Sequence, residues 1–336
     1  MVTQRNSTLE LLKLFASYMV VFIHVAFYGD AGTIMNALAR FAVPLFFVIS
    51  GFFSYKTSTE KIKKRIKHIA ILFVCSSILY TFFNIGSFLW RGNAAGIISY
   101  FGNYLDLKTL INLFVFNAPV SKVHLWYLLA ILYVYAIFYF VTVLHISEKI
   151  VFPISFSLLA LHILLGEGLS AFGIALPALI VRNFALLGIP FFALGLFAKK
   201  HEDKLRNTPN SVIILAAVIG ILETILSRYL LGQNELYIGS VFILFAVVAV
   251  FMKYPSVKYP HIFDILTGCS TYIYVFHMMV SSVIQKFYPL FHLDYTSSVL
   301  LKNIHPILVC IASTILAYCI MQISKLILSK HKKSTD

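Results

Sequence analysis

Apolar stretches of membrane-spanning length recur along almost the whole chain, and few folds can accommodate them. They fall at 9–28, 33–55, 68–90, 123–143, 150–166, 176–198, 211–229, 236–252, 262–284 and 305–327. Crossing the hydrocarbon core takes about 20 helical residues. Only helices and closed barrels satisfy every backbone group there. The spacing predicts an all-α, polytopic transmembrane helix bundle with about ten spanning helices, forming a single domain over residues 1–336. A shorter stretch, 108–118, is too brief to cross and reads as an interfacial or re-entrant helix. The first stretch is followed by no small-residue cleavage site, so a retained span is expected rather than a removed signal peptide.

Charge placement sets the expected orientation. The chain is 60% hydrophobic and only 12% charged, with a formal net charge of +14, against roughly 25% charged residues in soluble domains. A basic protein invites a nucleic-acid reading, but Lys and Arg here sit between apolar stretches, where they orient a membrane protein. Membrane lipids are the expected surroundings, and nucleic acid is not an expected partner. With the N-terminus inside, the inner segments hold eighteen Lys and Arg. These include Arg5, the Lys56–Lys67 run, Lys149, Lys199, Lys200 and the last group Lys325, Lys330, Lys332 and Lys333. The outer segments hold six, namely Arg91, Lys108, Lys122, Arg228, Lys286 and Lys302. Both termini are therefore expected in the cytoplasm, with the protein multi-pass in a bacterial cytoplasmic membrane. The four cysteines lie within apolar stretches without metal-ligand spacing, so neither a disulfide framework nor a metal site is expected.

Ionisable residues inside the spans are the candidates for function. Each costs about 2.5–3.5 kcal/mol at the bilayer centre on insertion scales, so such residues face the bundle interior or a wet cavity. Counting along each span puts His24, Arg40, Arg182, Glu223 and His277 in the outer third. His124, Trp126 and Tyr127 open one span at the outer surface, and Glu167 closes another there. Lys13 is the exception, eleven residues before His24. Eleven residues make three turns plus about 20° and rise about 16 Å, so Lys13 and His24 share a face running from inside to outside. A phosphate-bearing cofactor held at Lys13 could reach toward His24 along that face. Each residue also has a structural reading. His24 and His277 could hydrogen-bond a neighbouring helix. Arg40 and Arg182 could pair with Glu167 or Glu223. Trp126 and Tyr127 could anchor the interface. The run Lys61–Lys67 could set topology or contact anionic lipid. Gly51 in "VPLFFVISGFF" could serve close packing, with Pro44 kinking the span.

Several segments together carry a resemblance. In "LELLKLFASYMVVFIH" (9–24), Glu10, Lys13 and His24 stand at the acidic, basic and histidine positions of the first-helix signature of the acyltransferase-3 family. "RFAVPLFFVISGFFSY" (40–55), with Ser50, Gly51 and Tyr55, resembles its second helix. "HLWYLLAILYVY" (124–135), "GIPFFALGLF" (188–197) and "STYIYVFHMMV" (270–280) resemble later motifs, in family order. Two departures concern charge. Lys13 stands where Arg is commoner, and "KKRIKH" supplies Lys64, Arg65 and Lys67 where two spaced arginines are usual. Lysine meets a phosphate as a point charge, without the guanidinium fork.

The resemblance implies transfer of an acyl group, usually acetyl and not an amino-acyl group. The donor would be cytoplasmic acetyl-CoA or another short acyl-CoA. The acceptor would be a hydroxyl of a cell-surface or cell-wall glycan, or of a lipid-linked sugar. No metal is implied. In that scheme Lys13, Lys64, Arg65 and Lys67 hold the coenzyme A phosphates. His24 acts as general base or transient acyl carrier, since an imidazole suits proton transfer near neutrality. Arg40, Arg182 or His277 stabilises the oxyanion. His124, Trp126, Tyr127 and Glu223 shape the sugar pocket. Two other functions fit the same features. One is a transporter or exporter of a small polar solute or glycan-related substrate. The other is an assembly subunit of an envelope-polymer machine.

Overall fold

A computed structural model describes residues 6–333, with side chains through Leu326. Arg5 and the side chains of Lys330, Lys332 and Lys333, which entered the charge count, lie outside the described residues. Every regular element among the described residues is helical. In chain order the α-helices are α1 (Ser7–His24), α2 (Gly29–Leu38), α3 (Ala42–Phe52), α4 (Thr59–Trp90), α5 (Ala94–Leu105), α6 (Leu107–Val115), α7 (Trp126–Val143) and α8 (Glu148–Ile163). They continue as α9 (Ala178–Val181), α10 (Ile189–Lys200), α11 (Glu202–Arg206), α12 (Asn210–Leu231), α13 (Ile238–Lys253), α14 (Ile262–Thr267), α15 (Ser270–Phe287) and α16 (Val299–Lys333). Short 3-10 turns join α2 to α3, open α7 and follow α15, and π turns extend α8 and lead into α10.

Among the described residues, seven helical runs are long and apolar enough to cross a membrane. They are Ser7–His24, Gly29–Phe52, Thr59–Trp90, Val123–Val143, Glu148–Gly168, Asn210–Leu231 and Val299–Leu326. The other three stretches expected to span take different forms. Residues 176–198 are not one helix: α9 ends at Val181, and the chain re-enters helix where Asn183 Oδ1 accepts from the amides of Ala185 and Leu186, both at 2.9 Å. Residues 236–252 form the 16-residue α13. Residues 262–284 are split between α14 and α15 at Gly268 and Cys269. The stretch 108–118 is the nine-residue α6, its first turn capped by Asp106 Oδ2 accepting from Thr109 N–H at 2.9 Å.

The helices begin where the sequence offers acceptors for orphan amides. Asn6 Oδ1 takes the Leu9 N–H at 2.8 Å to start α1. Ser147 caps α8, and Asn93 caps α5. Large apolar side chains such as Phe82, Trp90, Leu222 and Leu300 are more than 60% exposed, a surface suited to lipid and not to water.

The chain forms two compact units, Met1–Ala42 with Leu205–Ile225 and Gly239–Asp336, and Val43–Lys204 with Leu226–Ile238. In the first unit, α1, α15 and α16 bury one cluster from helical-period positions: Leu14, Val21 and Val25, then Cys269, Ile273 and Val280, then Val309 and Ala317. The turn after α1 is tight. Gly29 takes φ 72°, and a Cβ at Gly32 would meet the Phe27 carbonyl. A polar joint ties α15 to α16. His305, fully buried, meets Ser281 Oγ at 2.9 Å through Nε2 and Tyr288 Oη at 2.8 Å through Nδ1. His305→Ala leaves two buried hydroxyls short of a partner and is expected to cost on the order of 1–2 kcal/mol. Thermal unfolding in detergent should show this as a lowered midpoint.

In the second unit, α3 and α10 approach until backbone meets backbone. A Cβ at Gly51 would run into the Phe192 carbonyl, and one at Gly195 into the Val48 carbonyl. Small residues at such a crossing are what let transmembrane helices pack without a hydrophobic driving force. Gly51 therefore has the packing role anticipated for it. Pro44 stands in the first turn of α3, just after the 3-10 turn Ala39–Phe41 that interrupts the run. Tyr135 of α7 seals the crossing, edge-on to Phe192 at 5.3 Å and donating to the Ser50 carbonyl at 3.4 Å.

Candidate active site

Three of the four expected catalytic residues converge in the first unit. His24 ends α1, and its ring lies 5.4 Å from that of His277 on α15, inclined by 33°. Thus two histidines far apart in sequence, assigned to one depth from their span positions, do meet. His277 is fully buried. Its Nδ1 lies 2.7 Å from the Tyr274 carbonyl oxygen. A carbonyl only accepts, so Nδ1 carries the proton, and in the neutral ring Nε2 is the basic nitrogen.

Arg40 reaches the same turn through an intermediary. It is buried in the 3-10 turn after α2, and Nη2 donates to Asn36 Oδ1 at 3.0 Å. Asn36 Nδ2 in turn donates to the Ile23 carbonyl at 2.9 Å. Asn36 therefore ties the guanidinium to the residue preceding His24, a role sequence reasoning did not assign. One signal was available: Asn36 and Arg40 are four apart, on one face of a helix. Asn36→Ala should cut kcat roughly tenfold to a hundredfold by loosening this geometry, while the KM for donor stays near wild type. Steady-state kinetics over a donor series separates the two.

Lys13 lies about three turns back along α1 and pairs with Glu10 Oε1 at 2.8 Å, three residues before it. Glu223, expected in a sugar pocket, accepts from the Gly239 N–H through Oε2. Negative charge is favourable at a helix start.

The second unit gathers the aromatic candidates. His124 is buried, edge-on to Tyr80 at 5.1 Å. Tyr127 packs against Phe47 at 4.8 Å and Phe46 at 5.9 Å. Trp126 is buried beneath Arg182, whose guanidinium carbon stands 5.6 Å from the ring centroid. The ion-pair partner of Arg182 is Glu235 at 3.6 Å, which corrects the expected pairing with Glu167 or Glu223. Glu167 Oε2 instead accepts from the Ile238 N–H at 2.7 Å. Asn117 is a further unexpected member. Fully buried at φ 49°, it accepts from the Phe184 N–H at 2.8 Å and donates to the Trp126 carbonyl at 3.4 Å. Asn is among the few residues that tolerate this backbone conformation.

The basic residues expected to bind the donor divide in two. Arg65 turns inward: it donates to Ser54 Oγ at 2.6 Å and the Phe53 carbonyl at 2.9 Å, and faces the Tyr135 ring. Lys64 and Lys67 are exposed. Arg65 thus fastens the turn after α3, and the two lysines carry outward charge. No group of histidine, cysteine or acidic side chains that could hold a metal occurs among the described residues.

No curated protein and no solved structure matches the chain. A family model described as an acyltransferase domain, Acyl_transf_3, matches residues 6–322. That match takes in the His24–His277 contact, six of the seven apolar helical runs whole and most of the seventh, so the chain belongs to the acyltransferase-3 family and is a multi-pass membrane acyltransferase.

Proposed function

We propose that the protein moves an acetyl group from cytoplasmic acetyl-CoA to a hydroxyl of a cell-surface glycan or its lipid-linked precursor. In this reading about ten helical segments traverse a bacterial cytoplasmic membrane and both termini are cytoplasmic. The observation that carries it is the junction of His24, His277 and the Asn36–Arg40 strap in the first unit. It supplies two imidazoles and a guanidinium around one helix end, the groups acyl transfer needs.

The acceptor oxygen attacks the thioester carbon, a C–O bond forms, and the C–S bond breaks. His24 takes the hydroxyl proton and returns it to the departing sulfur. Arg40, with His277, offers donors to the oxyanion formed between these events, and Arg182 serves the second unit, held on Trp126 and Glu235. Lys13, Lys64 and Lys67 attract the coenzyme A phosphates, with Arg65 holding the turn from which Lys64 and Lys67 project. Tyr127 faces the sugar pocket, whose wall the buried rings of His124 and Trp126 support, and Glu223 accepts from the Gly239 N–H at the start of α13.

Inside-out membrane vesicles given acyl-labelled acetyl-CoA test the reading. Label should enter glycan in proportion to the protein present, and propionyl-CoA in excess should compete. Label that stays in the donor, together with solute flux in the absence of any acyl-CoA, would overturn it in favour of transport.

A further inference from the structure

The second unit contains an amphipathic slot that none of the residues assigned to transfer enters. Between α7, α8 and α10 lies a cavity of about 220 Å³, lined by Val134, Phe138, Ile150, Ile154, Leu158 and Ala193 with scarcely a polar atom. It adjoins a second cavity of about 380 Å³, and Phe138, Val141, Ile146, Val151 and Leu196 line both. The second is polar at its mouth, where Lys56, Thr57, Thr142, His145, Ser147 and Glu148 stand. The two form one pocket, apolar at depth and charged at the end.

Three observations mark the mouth as a built feature. Lys56 and His145, one from each flanking loop, both take left-handed backbone conformations, φ 51° and 50°. Non-glycine residues rarely do so unless the surroundings demand it, and such strain gathers at ligand sites. Glu148 is neutralised by Lys200, whose ammonium also lies 5.6 Å from the Phe152 ring centroid. Hydrogen bonding to Glu148 holds the Lys200 ammonium above its ordinary pKa. With that pair balanced, and Lys199 likewise paired with Glu202, Lys56 leaves the mouth net positive, with Lys149 next to Glu148 in the chain.

An occupant must therefore bring an apolar chain for the slot and a negative head for the mouth. We propose that this pocket is a binding site for one anionic glycerophospholipid, with an acyl chain lying between α7, α8 and α10 and its phosphate at Lys56. The acyl chain meets the slot on apolar contact alone, and the phosphodiester meets charge at Lys56 and hydroxyl donors from Thr57 and Ser147. This site is independent of the transfer chemistry, so it stands or falls separately from the acetyl-CoA reading.

The test uses the full chain in phosphatidylcholine nanodiscs carrying a trace of phosphatidylglycerol with a photoactivatable acyl chain. After illumination, labelled peptides are mapped by mass spectrometry. Labelling is expected to concentrate on 134–158 and 189–196. Lys56→Gln should reduce it about fivefold, the effect of one basic residue near a lipid phosphate. It should leave labelling by a matching phosphatidylcholine probe unchanged. Ile154→Trp, at an exposed position on the slot wall, should reduce labelling with either probe. The proposal fails if label spreads over all exposed apolar helices, or if phosphatidylcholine labels the pocket equally. It also fails if excess acetyl-CoA clears the label, which would assign the pocket to the donor, or if a second copy of the chain cross-links there in place of lipid.

Discussion

His24→Ala should abolish acyl transfer while leaving the protein folded. The imidazole stands at the end of α1, outside the cluster of Leu14, Val21 and Val25 that packs the helix. Removing it loses the ring contact with His277 but no member of that cluster. A positioned general base contributes about 10²–10⁴-fold, and loss of a covalent carrier costs no less. Turnover of labelled acetyl-CoA into glycan should fall by about that factor, with an unaltered melting profile in detergent. His277→Ala offers the contrast. His277 is fully buried and bonded to its own helix, so both activity and stability should fall. A His24→Ala protein that turns over at the wild-type rate would remove His24 from the chemistry and leave the family assignment intact.

The second large effect concerns folding. Gly195→Val should prevent accumulation of folded protein. The new Cβ would meet the Val48 carbonyl and the Phe52 amide, both backbone atoms. Neither can step aside without parting α3 from α10. The cost is expected to be on the order of 3–5 kcal/mol, beyond ordinary overpacking and a large share of the roughly 5–15 kcal/mol that holds a typical domain together. Fluorescence-detected size exclusion of a tagged protein should show an aggregated or absent peak. Gly86→Val is the matched control, since nothing lies within 4 Å of a Cβ there. A normal peak for Gly195→Val would mean that α3 and α10 sit farther apart than backbone contact requires.

Much of the fold and of the site is legible in the sequence because the signals are local or periodic. Apolar length announces helices, so the run Val123–Val143 coincides with its expected bounds. An ionisable residue in an apolar run announces a buried site, and its position in the run gives its depth. Depth alone assigns His24 and His277 to one level, and their rings are indeed in contact. What such reasoning misses depends on partners from elsewhere in the chain. Glu235 sits in a polar connection, "GQNELY", where a carboxylate reads as solvated, yet it meets Arg182. His305 stands at the very start of its expected span and looks like an interface residue. Its partners Ser281 and Tyr288 come from the preceding helix and its end. Asn117 falls in the stretch 108–118, expected as an interfacial or re-entrant helix, and its worth lies in a left-handed backbone that composition does not announce. The breaks at Asn183 and at Gly268–Cys269 are hidden because hydropathy averages over a window and a single capping side chain does not alter the mean.

The strap from Arg40 through Asn36 to the Ile23 carbonyl makes two candidate residues behave as one part. The connection between α1 and α2 is a few residues long and pinned by Gly29 and Gly32, so slack is small. A substrate that draws on the Arg40 guanidinium therefore pulls on the backbone that carries the imidazole. Arg40 and Asn36, the two links of the strap, should fail a test of additivity. A double substitution at Arg40 and Asn36 should cost little more than the worse of the two alone. Anyone seeking to retune this enzyme for another acyl group has to treat the end of α1 and the Arg40 turn as a single lever, since moving either one moves both.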